Sequence, residues 1–158
     1  MYEPEMNQNN IKVIFLLHGY GSNEKDLFSL KDFIPPNYII ISLRAPISLG
    51  FNSYAWYSIN FEKSLDKWIN NDEAIHSKNI IKNDVLSHLK DLNIDNHSTY
   101  LLGFSQGAIL SWTIGIENSN LIKNILPLSG FYHSQITDTD FNPKYKLNCF
   151  SSHGVNDP

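Results

Sequence analysis

Cysteine is nearly absent from this sequence: Cys149 is the only one in 158 residues. No internal disulfide can form, and paired-cysteine metal spacing is excluded. A lone thiol in an apolar run fits a reducing compartment. Basic runs are also scarce. No block of Lys or Arg exceeds two residues and the net charge is −4, so nothing argues electrostatically for nucleic acid. Long apolar segments are lacking too. The longest, Val13 to Leu17, is far too short to span a bilayer. Met1 to Asn10 is polar and holds no apolar signal core. These absences point to a cytoplasmic protein without stable membrane insertion.

What is present is an ordinary globular mix, 42% hydrophobic and 18% charged, long enough for one domain with a real core. Ile11 to Leu17 and Tyr38 to Leu43 read as strands buried on both faces. Ser98 to Leu102, Ile122 to Leu128 and Leu147 to Ser151 read as further strands. A helix is expected from near Asn23 to Pro35, with Glu24 and Asp26 in its first turn. The spacing of Ile75, Ile80, Ile81, Val85, Leu86, Leu89 and Leu92 predicts an amphipathic helix over Asp72 to Leu92, and Gly107 to Glu117 predicts another. Phe51 to Phe61, rich in aromatics but without a clean period, reads as a long loop with short turns. Strands alternating with helices make an α/β domain with a mostly parallel sheet.

Gly103-Phe104-Ser105-Gln106-Gly107 falls where a strand passes into a helix. A serine there is thrust out on a tight turn at the carboxyl end of the sheet, and flanking glycines let strand and helix close on it. The helix N-terminus favours the negative charge that grows on an attacked carbonyl. The competing reading is a glycine-rich turn with an inert serine. His18-Gly19-Tyr20-Gly21 follows the first strand and suits an oxyanion loop, with Tyr20 and Gln106 supplying the two backbone N–H donors. The His18 ring is expected to hold that loop in place. Such a fold runs nucleophile, acid, histidine along the chain. Asp157 is the natural acid, against the plainer reading of a loop aspartate capping a turn. No histidine follows it in the 158 residues: His18, His76, His88, His97, His133 and His153 all precede it. His76 and His88, both on the long expected helix, are expected in solvent. Phe51, Tyr54, Trp56, Tyr57 and Phe61 either line a pocket beside Ser105 or form a satellite cluster.

Together these segments resemble the small carboxylesterase and phospholipase family that includes the acyl-protein thioesterases. The resemblance is carried by Leu16 to Glu24, Arg44-Ala45-Pro46, Tyr54 to Tyr57, Leu102 to Gly107, Leu128-Ser129-Gly130 and His153 to Pro158. It implies an α/β-hydrolase fold over residues 1–158, as one incomplete domain lacking the last strand and helix. It also implies no metal or organic cofactor and hydrolysis of small acyl esters or thioesters. Ser105 and Asp157 carry over as nucleophile and acid, Tyr20 and Gln106 as oxyanion donors. Trp56, Tyr57 and Phe131 are placed near the acyl pocket. Dimers are common among such enzymes, so a homodimer is allowed. The family continues past its Asp-Pro to a Gly-His pair, so the chain is expected to be a truncated member with weak or absent activity. Two further readings stay open: a non-catalytic ligand-binding remnant, and another α/β hydrolase such as a dienelactone hydrolase or a peptidase.

Overall fold

A computed structural model of the protein describes residues 11–60, 68–94, 98–138 and 146–156. Among these residues five parallel strands form one sheet in the order β2-β1-β5-β6-β7. They are β1 (Lys12–Leu17), β2 (Tyr38–Leu43), β5 (Thr99–Phe104), β6 (Asn124–Leu128) and β7 (Asn148–Cys149). Helices pack on both faces of the sheet, α1 (Lys25–Phe28) on one and α2 (Asn71–Leu92) with α3 (Gln106–Glu117) on the other. Side chains alternate across β1. Val13, Phe15 and Leu17 point into the core beneath α2 and α3. Ile14 and Leu16 pack on the opposite face with Leu27 of α1, Ile40 and Leu102. Burial on both faces is why this strand reads as a continuous apolar run.

The chain runs from β1 out to β2, then returns past β1 to β5. The order therefore reverses between β1 and β5, and a crevice at the carboxyl ends of two such strands is where open α/β sheets bind ligands. The loop at His18 and the turn at Ser105 leave from those two ends.

Three expected elements differ. Phe51 to Phe61 is not wholly a loop. Its beginning closes an antiparallel hairpin of β3 (Ile47–Gly50) and β4 (Ser53–Ala55), while Phe61 lies outside the described residues. Phe51 and Asn52 form the two-residue turn with φ of 49° and 60°, the positive pair that matches hairpin twist. The fifth strand is shorter than Leu147 to Ser151: only Asn148 and Cys149 pair, both exposed. The expected first helix is one short turn continued by a 3₁₀ segment, Ser29–Phe33. His88 is not free in solvent, since its ring lies 6.1 Å from that of Phe15.

One buried charge ties the helical layer together. Lys78 of α2 is almost inaccessible, yet its ammonium donates to Glu117 (2.9 Å), Asp138 (2.9 Å) and the Ile136 carbonyl (3.0 Å). All three protons find an acceptor, which a buried ammonium requires.

Candidate active site

Ser105 joins β5 to α3 with φ 52° and ψ −114°, a conformation that costs a non-glycine residue about 1–3 kcal/mol. Its surroundings hold it there. The Ser105 N–H donates to the Leu128 carbonyl of β6 (3.0 Å), and its own carbonyl accepts from Ala108 and Ile109. Glycine is required on both sides because backbones meet. A Cβ on Gly103 would overlap the Gly107 carbonyl, and one on Gly107 would overlap the Leu17 carbonyl of β1. The half-buried serine is thus presented at the strand end. Among the described residues no side chain hydrogen-bonds its hydroxyl.

Gln106 is the first residue of α3, a position whose N–H has no partner within a helix. Its side chain is buried, 2% exposed. The amide oxygen accepts from the Trp56 N–H (3.0 Å), and the amide nitrogen donates to the Tyr57 carbonyl (2.6 Å).

The loop after β1 lies directly against this turn. A Cβ on Gly19 would sit 3.4 Å from that of Ser105. Tyr20, the expected second donor, is the next residue and is partly exposed. Four contacts fix the loop's far side to the hairpin. Gly21 N–H donates to the Tyr54 carbonyl (2.9 Å), Tyr54 N–H to the Ser22 carbonyl (2.8 Å), the Ser53 hydroxyl to the Gly21 carbonyl (2.7 Å), and the Asn23 amide to the Asn52 carbonyl (3.0 Å).

His18 is used within the scaffold, as its sequence position suggests. Its Nε2 accepts from the Ala45 N–H (3.1 Å), so the proton is on Nδ1, which donates to the Gly19 carbonyl (2.8 Å). Burial holds its pKa below the ordinary 6.5. Arg44, beside it, pairs with Glu24 and stacks on Tyr54, and the guanidinium holds the Glu24 carboxyl down at about 2.

Trp56 and Tyr57 are in the core, at 0% and 1% exposed. They support the site from behind instead of forming an accessible pocket wall. Trp56 donates its indole N–H to the His18 carbonyl (2.8 Å). Phe131 is more open and stacks on Trp68, ring centres 6.5 Å apart. Trp68 borders a cavity of about 410 Å³ that Ser58, Asn60, Asn70, Asn71 and Asp72 also line. His133, next to Phe131, is engaged with the Asn71 side chain (3.2 Å).

Asp157 and His97 lie outside the described residues. The arm leading to Asp157 is anchored where Ser129 N–H donates to the Ser152 carbonyl (2.8 Å). Among the described residues no cluster of His, Cys, Asp and Glu is suited to a metal, and no helix is long and apolar enough to cross a membrane. The side-chain role of Gln106 has no signature in sequence. The hairpin has one: Gly50 and Asn52 flank Phe51, and both tolerate positive φ.

A serine on a strained strand-to-helix turn, facing a glycine loop from the neighbouring strand, defines the α/β-hydrolase class. The chain belongs to the phospholipase/carboxylesterase family, whose model matches residues 4–158. It is similar to the crystal structure of esterase PE8, at 25% identity and TM-score 0.73, with 83% of this chain and 63% of that one covered. This chain therefore spans less than two thirds of that esterase. The Bacillus cereus carboxylesterase shares the fold at 18% identity and TM-score 0.71, over 98% of this chain and 70% of that one. Arabidopsis thaliana SOBER1 does so at 16% and 0.66, over 92% and 74%.

Proposed function

We propose that the protein is a serine carboxylesterase or thioesterase in which Ser105 is the nucleophile and the backbone N–H groups of Tyr20 and Gln106 form the oxyanion hole. The observation that carries this is the strained Ser105 turn at the first residue of α3, packed against the Gly19 loop. Ser105 Oγ attacks the acyl carbon and its proton passes to a base. The carbonyl oxygen, now negative, accepts from the two N–H groups and lies near the positive end of α3. Collapse of this intermediate expels the alcohol or thiol, and water then releases the acid from the acyl-serine. Asp157 is proposed as the acid that would orient a histidine base. Short to medium acyl esters and thioesters are the proposed substrates, in the cytoplasm, with a homodimer compatible with the family.

Within the 158 residues no histidine follows Asp157, and a serine hydroxyl without a base is a poor nucleophile. These residues alone should therefore turn over p-nitrophenyl butyrate slowly. Added imidazole should raise the rate severalfold in a manner abolished by Ser105→Ala. Equal imidazole-dependent rates for protein and Ser105→Ala, together with no fluorophosphonate labelling of Ser105, would instead favour a non-catalytic ligand-binding role.

A further inference from the structure

We infer that the Gln106 side chain and the Trp56 indole act as a clasp that couples the two oxyanion donors, making both positioning residues. The inference rests on the hydrolase reading above but goes beyond the backbone role given to Gln106 there. The two donors come from different strands, and the sheet does not set their separation. The β1–β5 ladder ends at the pair Leu17 and Gly103, so Tyr20 and Gln106 both lie beyond it. What bridges them is a continuous buried path. Gln106 holds the backbone of Trp56 and Tyr57 through both ends of its amide. Trp56 holds the His18 carbonyl, two residues before Tyr20. The Ser77 hydroxyl of α2 donates to the Trp56 carbonyl. Every polar group of Trp56 thus reaches a different element: α3, the loop after β1, and α2.

A side chain needed only for bulk would leave its amide in water or be apolar. Here it is buried with both hydrogen-bonding ends used, and such an amide accepts few orientations. Displacing it would rotate the start of α3 and release the loop after β1 together. Oxyanion donors act through exact placement, so the effect should fall on the chemical step more than on ground-state binding.

The test uses Gln106→Met, which keeps volume and loses both bonds, and Trp56→Phe, which keeps an aromatic ring and loses the indole N–H. In the imidazole-supported assay each should lower kcat roughly 10- to 100-fold, less than the loss of about 10²- to 10³-fold that follows removal of an oxyanion donor outright. KM should change by less than about twofold, and the double variant should be no worse than the poorer single one. Unchanged kcat with a lowered Tm, or losses that multiply, would overturn the clasp. A second readout needs no turnover. In ¹H–¹⁵N spectra of the 158-residue protein, Gln106→Met should move the Gly19 and Tyr20 amide signals, while Leu86→Ala on the exposed face of α2 should not. Unmoved Tyr20 and Gly19 signals would overturn the clasp whatever the activity. Moved signals in a protein that shows neither Ser105-dependent turnover in imidazole nor fluorophosphonate labelling of Ser105 would uphold the clasp and sink the hydrolase reading alone.

Discussion

At the centre of the sheet, β1 pairs with β2 over six positions and with β5 over five, and its side chains are buried on both faces. At the edge, β7 pairs with β6 over two positions, and Asn148 to Asn156 is exposed throughout. The proposed nucleophile and oxyanion loop stand on the first region, and the arm toward Asp157 hangs from the second. Charge stabilisation needs donors fixed to a fraction of an ångström, and only a region with many buried bonds can hold them so. The arm over Asn148 to Ser152 is held by fewer contacts, among them the Phe150–Ile125 and Ser129–Ser152 bonds and the Leu128–Ser152 bridge.

Substitutions in the two regions should differ in their effects. The largest loss should follow Lys78→Ala, which leaves the mostly buried Glu117 carboxylate uncompensated beneath the central layer. About 4 kcal/mol should disappear from urea-unfolding stability. A loss under 1 kcal/mol would show that the helical layer does not depend on that ion cluster. Gly107→Ala comes next. Its methyl must displace the Leu17 carbonyl, costing about 3 kcal/mol and, if the chain still folds, fluorophosphonate labelling at Ser105.

A pH effect is third. His18 has its folded pKa lowered by burial, so the unfolded chain binds its proton more readily. Its contribution is complete above about 6.5 and is lost as pH falls through that value toward the folded pKa. Protonation at Nε2 would also set a second donor against the Ala45 N–H. Thermal melts from pH 8 to 5 should show a fall in Tm below 6.5 that is shallower in His18→Gln. Parallel curves would place the acid sensitivity elsewhere. The smallest effect belongs to the edge. Phe150→Ser, at a residue 64% exposed, should change stability by less than about 0.5 kcal/mol while reducing aggregation, read by light scattering, because exposed apolar edge surface promotes association.

The same contrast marks what could be read in the sequence. Lys12 to Leu17, Tyr38 to Leu43 and the Ser105 turn were legible because burial on both faces and backbone crowding demand particular residue types. Trp56 and Tyr57 were placed near the site by motif, yet their complete burial comes from tertiary packing that no local pattern carries. Gln106 is similar. Its backbone role follows from the turn, whereas its amide finds Trp56 and Tyr57 across about 50 residues of sequence. The hairpin was hidden because Phe51, an unusual residue at positive φ, masked a turn signal. At the edge, Leu147 to Ser151 has the composition of a buried strand but only two residues of pairing, since composition cannot say how many neighbours a strand will have.

Cys149 gives that edge a practical use. It is the sole thiol, it is exposed on β7, and partial desolvation raises its pKa. A maleimide dye would attach at one known point, faster under mildly alkaline conditions than at neutrality. The three tryptophans, Trp56, Trp68 and Trp112, all pack in or against the main core. Energy transfer from them to such a dye would follow the edge opening independently of the centre, turning a single thiol into an optical gauge of the least supported of the described sheet strands.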